Sequence, residues 1–184
     1  MVNDFPFSSL DRALMVCPNH ISWWDEIFAG WMCVLGSRRR VYVATESNRL
    51  KFIRLFNKID MFAVNHGSPN GTASWMQVFL QDPENLLVFF PQEQLQPFGE
   101  EPLRLDLGLT FLSRDYDRAF DVLPLAFKIQ YEEQARPAVY ARFAEPLDQK
   151  KIRQDSTVFT AAFHDNIRML DMAALGRQYA GMLL

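Results

Sequence analysis

Two unbroken apolar runs constrain this chain most: Leu14-Met15-Val16-Cys17 near its start, and Leu86-Leu87-Val88-Phe89-Phe90 near its middle, the latter stopped by Pro91. Short runs without polar alternation suit strands covered on both faces, and such strands occur chiefly in parallel sheets. The surrounding sequence alternates in the same sense. Strand Leu14–Cys17 leads to helix Asp25–Leu35, strand Val41–Thr45, helix Asn48–Asn57, strand Met61–Val64, helix Thr72–Gln81 and strand Asn85–Phe90. A long loop follows to about Pro102. Beyond it the periodicity predicts helix Gly108–Arg114, strands Val122–Gln130 and Ala138–Phe143, and a long helix Ser156–Leu183 with a candidate break at Gly176. The expectation is one α/β domain over residues 1–184, with a largely parallel central sheet covered by helices.

Composition narrows the function classes. Apolar residues make up 49% and charged residues 22%, the balance of a globular chain. A net charge of −3 gives no argument for nucleic acid as a partner. Sixteen phenylalanines and four tryptophans are a heavy aromatic load for this length: some belong to the core, and an apolar ligand or a membrane surface would also use such residues. Three isolated histidines and two isolated cysteines, Cys17 and Cys33, lack metal-ligand spacing, and both thiols are expected buried in a reducing compartment. No segment resembles a spanning helix or a signal peptide, so the expected location is the cytoplasm or the inner face of the cell membrane.

The chemistry concentrates in Asn19-His20-Ile21-Ser22-Trp23-Trp24-Asp25. On one regular helix His20 and Asp25 would stand about 140° apart and could not meet. They can meet if the chain leaves a strand at Cys17, turns through His20 and enters a helix near Ser22. Asp25 would then orient the imidazole, making His20 a general base. Ser22-x-x-Asp25 is equally a helix capping box, which would give Asp25 a purely structural task. Ser22 fits an N-cap better than a nucleophile, and Asn19, a candidate substrate contact, fits a residue that holds the turn by hydrogen bonding as well as a plain turn residue. Trp23 and Trp24 border an apolar ligand on one reading and fill the core on the other. Ligands in open α/β sheets gather at the carboxyl ends of the strands. His20, the Pro91-Gln92-Glu93-Gln94 segment and the loop Asn65–Asn70 all follow predicted strand ends.

Three motifs in order carry a family resemblance. Asn19-His20 with Asp25 resembles the His-x-x-x-x-Asp motif of the lysophosphatidic acid acyltransferase-like superfamily, the glycerolipid acyltransferases. Phe90-Pro91-Gln92-Glu93 is similar to its Phe-Pro-Glu-Gly block, and Val122-Leu123-Pro124-Leu125-Ala126 to its late Val-x-Pro-Val-Ala strand. The resemblance spans about residues 14–147, with the C-terminal helix at about 156–183 outside it. It implies transfer of an acyl group from a coenzyme A or acyl carrier protein thioester to a hydroxyl, with no other cofactor. His20 and Asp25 would be catalytic, and backbone N–H groups around Gln92 would face the oxyanion.

Two arginines that the family uses for an acceptor phosphate are missing: Asn65-His66 follows Val64, and Leu95 occupies the second position. Glu93 also replaces a glycine of the family block. The acceptor implied is a hydroxylated lipid, glycolipid or pigment held by Asn19, Asn65, His66, Gln92 and Glu93, with Arg104 as a charge from the long loop. Residues 48–62 read as a basic amphipathic segment, suited either to peripheral membrane contact or to covering the sheet. Arg38-Arg39-Arg40 is expected to face coenzyme A phosphate or solvent. Two rival functions share these residues: a thioesterase-like hydrolase using the same pair, and a non-catalytic lipid-binding relative.

Overall fold

A computed structural model describes residues 11–46, 60–64, 69–92, 94–100, 103, 105, 118–131 and 137–182. Its centre is β1 (Ala13–Pro18), in which all six residues are buried. β2 (Arg40–Glu46), β3 (Asp60–Val64), β4 (Asn85–Val88), β5 (Phe120–Tyr131), β6 (Pro137–Phe143) and the two-residue β7 (Leu147–Asp148) complete one sheet. The order is β3-β2-β4-β1-β5-β6, with β7 also on β5. β3, β2, β4, β1 and β5 are mutually parallel, in registers such as Val16 opposite Val88 and Cys17 opposite Pro124. The sheet is therefore α/β and mostly parallel, as the apolar runs predict.

β6 and β7 depart from that pattern, since both pair antiparallel with β5. The chain between Tyr131 and Pro137 is too short for a crossover helix, so β6 must turn back beside β5. The Ala144 N–H donates to the Pro124 carbonyl at 2.9 Å, bridging β6 and β7 along the same edge. The strand predicted over Ala138–Phe143 is present as β6, and β7 adds a pairing that no alternation signals.

Alternation within the buried strands splits the core in two. Met15, Cys17, Leu87, Phe89 and Val122 face one side, under α2 (Pro69–Leu80) and α4 (Thr157–Met182). Leu14, Val16, Leu86, Val88 and Leu123 face the other, where Ala29 and Cys33 of α1 (Asp25–Gly36) pack on them. α3 (Gln149–Gln154) starts at Asp148, whose side chain accepts the Lys150 N–H. α4 runs through Gly176 without a break: a lone glycine costs a helix about 1 kcal/mol, which does not end one. Cys17 and Cys33 are buried and unbridged, and burial pushes both thiols up from their ordinary values.

The predicted helices Asn48–Asn57 and Gly108–Arg114 lie outside the described residues. Asp60, Met61 and Phe62 belong to β3, so the segment read as amphipathic over 48–62 ends in a strand. Among the described residues, no helix is long and apolar enough to cross a membrane.

Candidate active site

β1 ends at Pro18, and Asn19 prolongs its pairing by substituting side chain for backbone. The Asn19 Nδ2 donates to the Phe127 carbonyl at 3.0 Å, and its Oδ1 accepts the Phe127 N–H. The Asn19 backbone N–H meanwhile donates to the Leu125 carbonyl at 3.1 Å. A side-chain amide offers the same donor and acceptor as a peptide unit, so it stays on β5 while the main chain turns away. This fixes where the turn begins.

His20 comes next, and a closed ring of hydrogen bonds holds its backbone. The His20 N–H donates to Gln92 Oε1, Gln92 Nε2 donates to Gln96 Oε1 at 2.8 Å, and the Gln96 N–H donates to the His20 carbonyl at 2.9 Å. All three residues are buried. The loop after β4 thus grips the loop after β1, which is possible because the two strands are adjacent and parallel. Gln92 is itself fixed by an antiparallel bridge to Leu105.

The imidazole lies against Phe90, ring centroids 4.8 Å apart, with Nδ1 at 3.3 Å from Asp25 Oδ2. Asp25 opens α1 and is fully buried. The same Oδ2 accepts the Ile21 N–H at 2.6 Å and the Ser22 N–H at 2.7 Å. One oxygen of Asp25 therefore both receives the backbone donors of the turn before α1 and faces the imidazole. The other oxygen, Oδ1, is buried with no hydrogen-bond partner among the described residues. Ser22 is not the N-cap expected: its hydroxyl accepts the Trp24 N–H at 3.2 Å in the turn before the helix, and Trp24 occupies the cap position.

An ionised carboxylate only accepts hydrogen bonds, so in this geometry the proton of a neutral His20 sits on Nδ1 and the lone pair on Nε2. Asp25 and Glu26 stand in the first turn of α1, where the helix dipole favours negative charge. Glu26 is a second buried carboxylate, accepting a hydrogen bond from Thr45 Oγ1 at 2.7 Å. That bond ties the start of α1 to the carboxyl end of β2.

No protein-family model and no curated protein matches this chain. The reading of the site therefore rests on its geometry.

The structure brings His20, Asp25, Asn19 and Gln92 together. Asn19 and Gln92, expected to touch substrate, spend side-chain amide groups on Phe127, His20 and Gln96. Asn65, His66, Glu93 and Arg104 lie outside the described residues. Gln96, Glu26 and Thr45 join the site without standing among the residues that the sequence singles out. The nearest signal for Gln96 is the spacing Gln92-x-x-x-Gln96, two amides in one loop, which hints at a local network but not at its partner. Trp23 and Trp24 are not core: both are exposed, and they stack on each other with centroids 3.8 Å apart.

The basic triplet lies far from the histidine. Arg40 starts β2 opposite Asn85, at the amino ends of the parallel strands. Arg39 donates to the carbonyls of Arg12 and Pro83, and Arg40 reaches Asp82 at 3.4 Å. At that end of the sheet the triplet cannot hold a phosphate beside His20.

Proposed function

We propose that this protein is an O-acyltransferase of the lysophosphatidic acid acyltransferase-like kind, moving a fatty acyl group from a coenzyme A or acyl carrier protein thioester to a hydroxyl of a lipid, glycolipid or pigment acceptor. The observation that carries the proposal is the His20 Nδ1–Asp25 Oδ2 pair at 3.3 Å, buried where β1 gives way to α1. A separation at the long end of hydrogen bonding is common in active sites without substrate and tightens on binding. His20 Nε2 takes the proton of the acceptor hydroxyl, and the oxygen attacks the thioester carbonyl. As the tetrahedral species collapses, the carbon–sulfur bond breaks and the imidazolium returns the proton to the leaving thiolate. Asp25 stabilises the imidazolium between these steps.

The missing arginines at Asn65-His66 and Leu95 favour a neutral acceptor over a phosphomonoester. The test is thiol release from an acyl-coenzyme A series, with and without hydroxylated acceptors, and mass detection of the acyl ester. Ester formation that depends on acceptor, and that falls on the order of 10²–10⁴-fold in His20→Ala, is the expected result. Thiol release indifferent to acceptor would reassign the pair to a hydrolase. No release at all, with acyl chains retained by the purified protein, would reassign it to lipid binding.

A further inference from the structure

The outer face of α1 is unusual for a helix on the surface of a domain. Its two acids, Asp25 and Glu26, are buried, and it carries no basic residue in its last turn. Within Asp25–Gly36, every side chain turned to solvent is therefore apolar. Trp24, Phe28, Trp31 and Leu35 follow one another at helical spacing, and Trp23 stacks on Trp24 at the head of the stripe. The exposures are 56% for Trp23, 43% for Trp24, 42% for Trp31 and 68% for Leu35. Exposed residues of this size normally stand singly, and a continuous row marks an interaction surface. α4 offers the contrast: its exposed Met169 and Met172 are interspersed with Asp165, Arg168 and Asp171.

We propose that this face of α1 docks on an anionic lipid bilayer, the helix lying in the plane of the interface. Two observations choose a bilayer over another occupant. Three of the four tryptophans of the chain lie on this one face, and the indole, with an apolar body and one N–H, suits the boundary between acyl chains and headgroups. The stripe also runs into exposed Arg38 and Arg40 beyond its end; Arg40 reaches Asp82 at 3.4 Å, and no acid is exposed along α1 itself. That pattern, apolar along the helix and cationic beside it, complements negatively charged headgroups. The head of the stripe adjoins the His20 turn, so the docked face would set the candidate site at the membrane edge. This surface stands whether or not the protein transfers acyl groups.

The experiment is flotation of the full chain with vesicles of equal parts phosphatidylglycerol and phosphatidylcholine, against vesicles of phosphatidylcholine alone. It is read alongside tryptophan emission with bromine-labelled acyl chains. Binding at low salt with quenched, blue-shifted emission is expected. Trp31→Ser with Leu35→Ser should lower partitioning at least tenfold. Arg38→Gln with Arg40→Gln should lower it roughly fivefold per charge, on anionic vesicles only. Circular dichroism melting checks that the variants fold, and quenching of the unaltered protein does not depend on them. Absence of binding, or binding that survives Trp31→Ser with Leu35→Ser, overturns the proposal. So does concentration-dependent dimerisation abolished by those substitutions without vesicle binding, which would give the face to a second copy.

Discussion

Gln96 donates its backbone N–H to the carbonyl of His20 at 2.9 Å, and its side chain receives the amide of the Gln92 that holds the His20 N–H. The candidate base is thus set by main-chain bonds on both of its sides, independently of what its ring touches. A histidine held this way loses rotational and translational freedom before substrate arrives, which is a condition for efficient proton transfer.

Breaking this ring should uncouple placement from folding. Gln92→Met fills the same space but leaves a buried N–H of His20 unpaired, at a cost of about 1–3 kcal/mol. Gln96→Ala leaves the His20 carbonyl bond in place, because that donor is backbone, and removes the side-chain acceptor of Gln92. The expected order is therefore Gln92→Met more damaging than Gln96→Ala in urea unfolding. Both should lower kcat more than KM in the acyl-transfer assay, and equal effects on stability would contradict the ring as described.

Asp25 serves two purposes through one oxygen, and two substitutions separate them. Asp25→Asn can keep an oxygen at the Oδ2 position to receive the Ile21 and Ser22 N–H groups, but it lacks the charge that stabilises an imidazolium. Its NH2 takes the buried, unpartnered place of Oδ1, so it should lose about 1–3 kcal/mol, while kcat falls on the order of 10²-fold or more. Asp25→Ala should lose turnover and also destabilise the protein by about 1–3 kcal/mol for each donor left buried without a partner. If Asp25→Asn keeps kcat within about threefold, a range too small for lost general-base catalysis, holding the turn before α1 is the only role of Asp25.

How much of this was legible follows from where the interactions lie in the chain. Leu14–Cys17 and Leu86–Phe90 announced buried strands because their composition carries the signal locally, and His20 with Asp25 falls within one turn. The partners of His20 were hidden because Gln92 becomes its neighbour only through the pairing of β1 with β4, which no local pattern states. Asn19 has the local signature of a turn residue, whereas its bonds run to Phe127 across the sheet. Trp23 and Trp24 misled because bulk suggests a core, while the loop that carries them projects outward. The antiparallel return of β6 was readable in principle, from the shortness of the link after Tyr131 alone.

Asn19 predicts a substitution that looks conservative and is not. Asn19→Asp has almost the same shape, yet it replaces the Nδ2 donor with an oxygen facing the Phe127 carbonyl at 3.0 Å. Two acceptors then oppose each other in a buried place, so the variant should unfold at lower urea than Asn19→Ala. Asn19→Ala leaves both Phe127 backbone groups unpaired, for about 1–3 kcal/mol each. An aspartate variant as stable as the parent would mean that the side-chain amide does not prolong β1.

At the other end of the sheet, a charged group predicts the pH dependence of folding. Asp121 lies opposite Leu14 on β1 and opposite Asp148 on β7. Burial holds its carboxyl above the ordinary aspartate range; Arg12 at 3.6 Å opposes the shift and Asp148 adds to it. The folded state then keeps this proton to higher pH than the unfolded chain does. Stability should fall as pH rises from the ordinary aspartate value through the raised one, and the penalty should stay constant above that window. Asp121→Asn removes the ionisation, while Arg12 retains Asp148 at 2.8 Å. The variant should melt higher than the parent at neutral pH, and the difference should vanish near pH 3, about one unit below the ordinary aspartate value. Calorimetric melting of both proteins across that range checks the sign: a variant that melts lower only at neutral pH would show that Arg12 outweighs burial at Asp121.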